Sequence, residues 1–414
     1  MINLYIVDIK DCRASSYGIG TYINELSFTL NKDSINVNVI NLYSNKPKVL
    51  QSVENGITYL NIPKPKLKIN NNLNNYYIYN QSVIYILKEY IQSQDNLVFH
   101  LNYFDSRVLS TMLKETFNCK IILTMHCLSW SFELLGNVTR LSKIIHQPKN
   151  LEYNNPLSKK IIESFNEEKR FFHSADKILC LSKHTSNIVQ EIYKVQKQKI
   201  TTVYNGLDDK WQNNYNRISI RKKYNLPIDG SVIIFAGRLD QSKGISYFIN
   251  ASKILVEQIP NCHVIIAGNG AYDTYIKECG NRWMNIHFIG FLEKAELYEL
   301  YSIADFGVMP SLHEQCSYTA IEMMMHGLPI IASTSTGLRE MVVEGITGLH
   351  VPVVEYEDKV DINVSLLAEK MLYMLTNENE RNRMGKNARK RYLKFYSSKT
   401  MGENMNNFYK KLLI

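Results

Sequence analysis

The chain has 414 residues, of which 45% are apolar and 11% aromatic, and 48 Lys and Arg against 39 Asp and Glu give a formal charge of +9. At about 100–200 residues per domain this length indicates two domains, and the charge is too small to indicate a nucleic-acid partner. The longest apolar runs, such as IILTM and VIIFAG, are far shorter than the about 20 residues of a membrane span. The N-terminal MINLYIVDIKD is typical of a strand rather than a signal peptide. Secreted, collagen-like and disordered proteins are therefore excluded.

The seven cysteines are an odd number, and none of them stands in a C-x-x-C pair. This pattern favours buried thiols in a reducing cytoplasm over a disulfide framework or a structural zinc site. The residues are Cys12, Cys119, Cys127, Cys180, Cys262, Cys279 and Cys316.

The first half of the chain alternates short β-branched runs with longer stretches of helical period. Continuous Val, Ile and Leu runs are typical of parallel strands buried on both faces, with helices as the crossovers. The pattern predicts strands at 2–8, 36–43, 96–102, 120–126, 177–182 and 200–204. Helices are predicted between them, near 20–31, 81–93, 105–115, 157–174 and 184–194.

The second half repeats the alternation, which predicts two doubly wound α/β domains. Strands are expected at 231–237, 262–268, 286–291, 305–310 and 329–334, and helices near 243–257, 293–303, 317–326 and 363–375. An Asn-Gly turn within 205–209 indicates the linker, so the predicted domains are 1–205 and 206–394.

The C-terminal segment 380–412 is predicted to be helical throughout, with an aromatic stripe that faces the core. We expect its last helix, 395–414, to pack back on the N-terminal domain.

Two segments, 44–80 and 127–156, are rich in Asn, Lys and Pro and show no clear period. Long irregular segments in compact domains are often functional. An acceptor site is one interpretation of them, and surface padding is the other.

Ligands of open parallel sheets bind at the carboxyl ends of the strands, so residues that directly follow a strand are the first candidates for a site. Arg238 and Lys243 follow the predicted strand 231–237. A guanidinium can grip two phosphate oxygens and a lysine adds a point charge. A solvated basic loop is the alternative interpretation.

Two carboxylates lie around the start of the helix that follows strand 305–310. Glu314 precedes this helix, Ser317 is a suitable N-cap, and Glu322 lies about one turn inside. The free amides near Tyr318 and Thr319 favour a phosphate, so one carboxylate is available for sugar hydroxyls and the other for a ribose. The apolar neighbours of Glu322 argue against its being a charge on an exposed face.

The first strand is followed by Asp11, Arg13 and a Gly-Ile-Gly segment that ends at Gly20. This is not a full G-x-G-x-x-G, but it allows a backbone to approach an anion closely. Two histidines, His100 and His126, stand at strand ends. A lone histidine at such a position is more often structural, and a place for at least one of the pair in a cleft is the alternative interpretation.

In this order, the segments resemble glycosyltransferase family 4, or glycosyl transferases group 1. The most diagnostic stretch is 314–351, which contains Glu-x7-Glu, Met-His-Gly-Leu-Pro-Ile-Ile-Ala-Ser at 325–333, Gly-Leu-Arg-Glu at 337–340 and Gly-Ile-Thr-Gly-Leu-His-Val at 345–351. Similar family segments are Phe-Ala-Gly-Arg-Leu-Asp-Gln-Ser-Lys-Gly at 235–244, Ile-Ala-Gly-Asn-Gly at 266–270 and Val-Tyr-Asn-Gly-Leu-Asp at 203–208.

The resemblance implies the GT-B architecture, with two Rossmann-like domains that face each other across a cleft. It also implies a retaining enzyme that moves a hexose from a UDP- or GDP-sugar to an acceptor hydroxyl, in cell-surface glycan or glycolipid synthesis. The nucleotide sugar is the co-substrate, and no cofactor or metal is expected. The acceptor is expected to be a saccharide, a lipid-linked saccharide or a peptide, with no nucleic acid among the partners.

By the same resemblance, Arg238 and Lys243 hold the diphosphate and stabilise the departing nucleotide. Glu314 binds hydroxyls of the transferred sugar, and Glu322 binds the ribose. Gly20 approaches the phosphate from the N-terminal domain. His126 is implied to lie beside the donor sugar near the anomeric centre, and Leu292 to offer backbone hydrogen bonds to the base. Ser317, Tyr318 and Thr319 complete the implied donor site.

One departure from the family concerns residues 315–317, which are Gln, Cys and Ser where many members have Gly-Phe-Gly. The loss of both glycines restricts the backbone where the donor passes. This variant is similar to a bacterial subgroup linked to radical-enzyme peptide maturation loci, which suggests a peptide acceptor. Two other classes stay open, a catalytically silent nucleotide-sugar-binding protein and an epimerase of a nucleotide sugar.

Three basic segments, 140–149, 194–199 and 217–223, place Lys and Arg beside apolar residues. Peripheral contact with an anionic membrane is one interpretation, and solvated helix faces are the other. The expected location is the cytoplasm, including the inner face of the membrane.

Overall fold

The computed structural model describes residues 1–12, 15, 18–65, 72–146, 155–212 and 215–412. The chain divides into two compact units, Met1–Cys127 with Glu163–Asp208 and Ser398–Ile414, and Leu128–Ile162 with Asp209–Ser397. Residues 128–146 and 155–162 therefore lie with the second unit, although Cys127 and Glu163 lie with the first. The functional domain limits 1–205 and 206–394 stay a prediction.

The described residues form sixteen strands. In chain order they are β1 (Ile2–Ile9), β2 (Ile35–Ser44), β3 (Leu50–Glu54), β4 (Ile57–Pro63), β5 (Leu97–Leu101), β6 (Cys119–Met125), β7 (Lys177–Cys180), β8 (Ile200–Thr202), β9 (Ser231–Ala236), β10 (Cys262–Ala267), β11 (Ile286–Gly290), β12 (Phe306–Met309), β13 (Ile330–Ser333), β14 (Gly348–Val351), β15 (Val353–Glu355) and β16 (Val360–Ile362).

The helices of the described residues cover both units. They are α1 (Gly18–Thr29), α2 (Asn72–Tyr90), α3 (Arg107–Thr116), α4 (Ser129–Glu133), α5 (Val138–His146), α6 (Pro156–Ser174), α7 (Lys183–Glu191), α8 (Arg217–Lys223), α9 (Ile245–Gln258), α10 (Tyr272–Glu278), α11 (Lys294–Ile303), α12 (Tyr318–Met325), α13 (Leu338–Met341), α14 (Val364–Thr376), α15 (Glu378–Arg391) and α16 (Ser398–Leu412).

Each unit is built on one largely parallel sheet. The first sheet has the order β3-β4-β2-β1-β5-β6-β7-β8, and the second has the order β11-β10-β9-β12-β13-β14. All neighbouring pairs are parallel except the edge pair of β3 with β4. In each sheet the first strand along the chain lies in the middle, so the strand order reverses between β1 and β5 and between β9 and β12. Such switch points are where open α/β sheets bind ligands.

The Val, Ile and Leu runs are buried as the sequence predicts, because helices cover both faces of each sheet. In the second unit, side chains of β9 and β10 such as Ile233 and Val264 pack with Phe248 of α9 and Met371 of α14, and all four are fully buried. The predicted α/β class with two doubly wound parallel sheets is confirmed.

The structure differs from the sequence predictions for 44–80 and for the C-terminal segment. Residues 44–80 contain β3 and β4, which form a hairpin around Asn55 and Gly56, both with positive φ. The C-terminal segment is not helical throughout, because a π-helical turn over Tyr392–Tyr396 leads to Ser397 in an extended conformation (φ −76°, ψ 149°). The last helix, α16, packs against α1 within the first unit.

Candidate active site

The carboxyl ends of β9 and β12 collect most of the residues that the sequence singles out. Arg238 and Lys243 follow β9, and Glu314 follows β12, its neighbour in the sheet. Because the two strands flank the switch point, their following loops border the same crevice at the sheet edge.

Lys243 and Glu314, which are 71 residues apart in the chain, form an ion pair between Nζ and Oε1. Their side chains are 21% and 12% exposed, so the pair is partly shielded from water. Lys243 ends a short turn, Gln241–Lys243, whose start is capped by the side chain of Asp240. The sequence predicts both residues separately, and the fold brings them into contact.

Arg238 lies at the surface, five residues before Lys243 in the chain. Its Nε is 3.2 Å from Oδ2 of Asp240, and its guanidinium also donates to the hydroxyl of Ser242 at 3.4 Å. An exposed ion pair of this kind contributes little to stability. The guanidinium can therefore leave Asp240 and bind an anionic ligand with little loss of stability.

Glu322 lies in α12 and is only 5% exposed, so it is not a charge on a solvated face. Its Oε1 is 3.6 Å from Nζ of Lys294, and the hydroxyl of Tyr301 donates to its Oε2 at 3.5 Å. Burial raises the pKa of Glu322, against the opposing effects of Lys294 and Tyr301. These two partners come from α11, and no sequence pattern points to them.

The start of α12 has the cap that the sequence predicts. Ser317 is the N-cap, and its hydroxyl accepts a hydrogen bond from the amide of Ala320 at 3.4 Å. Tyr318 and Thr319 occupy the first turn of α12, and this end of a helix favours a negative charge. Leu292 is half-buried between β11 and α11, and it directly precedes a capping box of Glu293 with Glu296.

Gly20 lies in the first turn of α1, after β1 of the first unit. A Cβ at this position would lie 1.8 Å from the carbonyl oxygen of Ser15, so only glycine fits. Ser15 is held by Asp8, which is fully buried at the end of β1 and accepts from the hydroxyls of Ser15 at 2.9 Å and Tyr103 at 2.7 Å. Arg13 lies outside the described residues.

His126 follows β6 in the first unit, and its environment fixes its protonation state. Burial lowers the pKa of His126 to about 3, so the imidazole is neutral at neutral pH. The amide of Asn102 donates to the carbonyl of Val7, which turns its Oδ1 toward Nε2 of His126 at 3.1 Å. Nε2 therefore carries the proton, and Nδ1 is the acceptor.

His100 has a structural role. It is fully buried and bonds through Nδ1 to the hydroxyl of Tyr409 and through Nε2 to Thr124. Burial, with a smaller contribution from the neighbouring His126, lowers its pKa to about 3. Of the two histidines at strand ends, His100 thus joins α16 to the sheet of the first unit.

The segment that follows His126 packs on the loop that carries Glu314. The hydroxyl of Ser131 bonds to Nε2 of His313 at 2.9 Å and donates to the carbonyl of Leu128. The side chain of Asn137 donates to the carbonyl of Tyr356 at 2.7 Å. The sequence predicts an irregular segment over 127–156, whereas residues 128–146 contain α4 and α5 and belong to the second unit.

Several residues of the basic segments are engaged by the protein itself. Arg140 donates to the carbonyl of Asp358, and Lys143 pairs with Glu357. Arg221 is buried and donates to three carbonyls of the following turn, and Lys199 bonds to two more. These contacts favour a structural role for the segments over a membrane role. Residues 147–149 lie outside the described residues.

All seven cysteines are free thiols. Within the described ranges, no three His, Cys, Asp or Glu side chains come together as the ligands of a metal ion would. No helix in that part of the chain is both long and apolar enough to cross a membrane.

Two α/β units, each with a switch point flanked by charged or glycine-containing loops, define a GT-B glycosyltransferase fold. Comparison with known families agrees, because the family described as Glycosyltransferase Family 4 matches residues 17–211 and that described as Glycosyl transferases group 1 matches 216–391. The chain belongs to this group 1, family 4 class of glycosyltransferases.

Curated relatives match part of the chain. An uncharacterized glycosyltransferase of Methanocaldococcus jannaschii is 26% identical over 243 residues, which is 55% of this chain and 61% of that protein. The chain matches about half the length of these curated relatives. For three of them the matched share of the relative's own length is 61%, 49% and 44%.

Solved structures match over the full length. Sucrose-phosphate synthase from Thermosynechococcus elongatus superposes with a TM-score of 0.75 at 21% identity, covering 100% of this chain and 99% of that one. Anabaena HepE in complex with UDP-glucose has a TM-score of 0.69 at 14% identity, covering 99% and 100%. At these identities the likeness shows the GT-B fold.

Proposed function

We propose that the protein is a retaining hexosyltransferase that moves a sugar from a nucleotide sugar to an acceptor hydroxyl. The observation that carries the proposal is the ion pair between Lys243 and Glu314 at the switch point of the second sheet. It joins a cation suited to a diphosphate with a carboxylate suited to sugar hydroxyls. Anabaena HepE, which shares the fold, forms a complex with UDP-glucose.

In this proposal Arg238 and Lys243 stabilise the charge that develops on the departing diphosphate, and the first-turn amides at Tyr318 and Thr319 add to this effect. Glu314 holds hydroxyls of the transferred sugar, and Glu322 holds the ribose. The bond from the anomeric carbon to the phosphate oxygen breaks while the acceptor oxygen attacks the same face. The acceptor proton passes to the departing phosphate oxygen, and no metal takes part.

The proposed role of His126 follows from its neutral state. With Nε2 donating to Asn102, the Nδ1 lone pair can accept a hydrogen bond from a sugar hydroxyl. A neutral ring avoids adding a positive charge beside the anomeric centre, where positive charge develops as the bond breaks. Gly20 is proposed to bring the start of α1 close to the phosphate, and Leu292 to bond the base.

The proposed acceptor is a saccharide or lipid-linked saccharide of the cell surface. A peptide acceptor is the second candidate, because Gln315, Cys316 and Ser317 replace the Gly-Phe-Gly of many relatives. All three residues are buried, so this loop is packed into the unit.

The test is a binding and turnover screen of UDP-, GDP- and ADP-sugars with EDTA present, read by thermal shift and nucleotide release. We expect one donor to stabilise the protein and to release its nucleotide in the presence of acceptor. Arg238→Ala should lower turnover on the order of 100-fold, as for the loss of one charge-stabilising contact. Glu322→Ala should abolish the thermal shift.

The control is Arg383→Ala, which removes another exposed arginine that pairs with Glu380. It should leave binding and turnover unchanged. Binding without release with any acceptor would identify a silent nucleotide-sugar-binding protein, and an altered donor without a glycoside would identify an epimerase. No binding of any donor would refute the proposal.

A further inference from the structure

Thr336 occupies an unusual backbone position in the loop between β13 and α13. Its φ is 28°, in the left-handed region that β-branched residues rarely adopt. A strained residue persists only where its surroundings fix it, and such residues concentrate at functional sites. The contacts of Thr336 show what fixes it.

The hydroxyl of Thr336 engages both backbone polar groups of Glu314. Its Oγ1 accepts from the Glu314 amide at 2.8 Å and donates to the Glu314 carbonyl. The amide of Gly337 donates to the same carbonyl at 2.7 Å. A Cβ at Gly337 would lie 1.6 Å from the carbonyl oxygen of Gln315, so the two loops are in direct backbone contact.

The loop that carries Thr336 is itself anchored to the sheet edge. The hydroxyl of Thr334 accepts from the amide of Val353 at 2.9 Å, and the Thr334 amide donates to the carbonyl of Val351 at 2.9 Å. Ser333, at the end of β13, donates to the carbonyl of Ser311. Thr336 therefore ties Glu314 to a fixed part of the second unit.

We infer that Thr336 is a positioning residue that sets the place of the Glu314 carboxylate and so governs recognition of the transferred sugar. This inference rests on the proposed function, in which Glu314 contacts the sugar and not the nucleotide. The strained backbone places the hydroxyl within reach of both polar groups of Glu314, and this pairing holds the carboxylate beside Lys243.

The test compares Thr336→Val, which keeps the shape and lacks the hydroxyl, with Thr336→Ser, which keeps the hydroxyl. The matched control is Thr347→Val, because Thr347 is also buried and accepts a hydrogen bond from a backbone amide, that of Val343, without touching Glu314. Affinities for UDP and for UDP-glucose are measured by calorimetry, and amide hydrogen exchange of residues 312–317 is followed in the ligand-free protein.

Thr336→Val should leave UDP binding within twofold of the wild type and lower the UDP-glucose to UDP affinity ratio about tenfold, with faster exchange of the Glu314 amide. Thr336→Ser and Thr347→Val should keep the wild-type ratio and exchange. In a Glu314→Gln background, Thr336→Val should cause no further loss of the ratio.

An unchanged ratio and an unchanged Glu314 exchange rate in Thr336→Val would overturn the inference. A wild type that binds neither UDP nor UDP-glucose would count against the proposed function with this donor. In that event the exchange data alone decide, and a Glu314 amide that stays protected in Thr336→Val refutes the positioning role.

Discussion

Glu322 shows, at the scale of one residue, how a binding group conflicts with stability. The carboxylate is buried, and the raised pKa means that its charged form is worse solvated in the folded chain than in water. Lys294 and Tyr301, at 3.6 Å and 3.5 Å, compensate only in part. The pKa of such an acid is higher in the folded than in the unfolded chain, so the free energy of unfolding falls as pH rises from the unfolded-state pKa toward the folded-state pKa. This loss of stability persists at pH 7.

Glu322→Gln should therefore stabilise the ligand-free protein while removing nucleotide binding. An amide of the same shape has no charge to bury, and we expect a gain of about 1 kcal/mol, or about 2–4 °C in melting temperature. The measurement is thermal unfolding with and without the nucleotide that binds the wild type. Glu369→Gln, at an exposed position of α14, is the control and should change neither quantity. A lower melting temperature for Glu322→Gln without ligand would contradict this account.

At the scale of elements, the segment 128–146 depends on one asparagine. Asn137 is fully buried and caps α5 by accepting from the amide of Arg140 at 2.8 Å. Its Nδ2 also donates to the carbonyls of Tyr356 and Lys359 in the β15–β16 hairpin. One side chain thus starts a helix and joins it to a second element.

Asn137→Ala should cost about 2–4 kcal/mol, since it removes a cap worth about 1 kcal/mol and two hydrogen bonds to carbonyls of the hairpin turn, each worth about 0.5–1.5 kcal/mol. Asn216→Ala is the matched comparison, because Asn216 caps α8 by accepting from Ser219 at 3.0 Å and is exposed. It should cost about 1 kcal/mol. Thermal unfolding and the hydrogen exchange of residues 138–146 measure the difference, and equal losses in the two variants would show that the hairpin contact is not stabilising.

The sequence predicts elements well where one period dominates. The parallel strands were predictable because burial on both faces demands unbroken apolar runs. The hairpin of β3 with β4 was missed, because Asn- and Lys-rich flanks hid an alternating edge strand, although Asn55-Gly56 is itself a hairpin signal. The helices in 128–146 were missed because their partners, such as His313 and Tyr356, lie far away in the chain.

The candidate site was predictable residue by residue but not as a set of contacts. Arg238, Lys243, Glu314 and Glu322 stand in recognisable motifs. The contacts that these residues make depend on the order of the strands in the sheet. Lys243 and Glu314 are 71 positions apart in the chain, and Thr336 and Glu314 are 22 positions apart. No local period encodes such pairs, so the hydrogen bonds between Thr336 and Glu314 become visible only in the folded chain.

At the scale of the whole molecule, both units contain histidines whose pKa lies below its ordinary value. Burial lowers the pKa of five of them, His100, His126, His263, His287 and His326. Two belong to the first unit and three to the second. Acid should therefore weaken both units, and the first most steeply, since the pKa values of His100 and His126 fall to about 3.

The direction follows from proton uptake. Between the unfolded pKa of about 6.5 and a folded pKa of about 3, the unfolded chain binds a proton that the folded chain does not. The stabilisation is complete above pH about 6.5 and is lost as pH falls toward 3, by about 1.4 kcal/mol per pH unit for each such histidine. Asp209 and Asp361, whose pKa values are lowered, add to the loss at still lower pH.

Denaturant unfolding between pH 7 and 4.5 should therefore show a steep decline in the free energy of unfolding. His100→Gln should reduce that slope by about one proton, or about 1.4 kcal/mol per pH unit, whereas His146→Gln, at an exposed position, should leave it unchanged. Nuclear magnetic resonance of labelled imidazoles gives an independent check, since His100 and His126 should not titrate between pH 5 and 8. Titration of either ring near pH 6.5 would mean that this ring is solvated in the native state. If the ring were that of His126, its proposed role as a neutral hydrogen-bond acceptor would have to be abandoned.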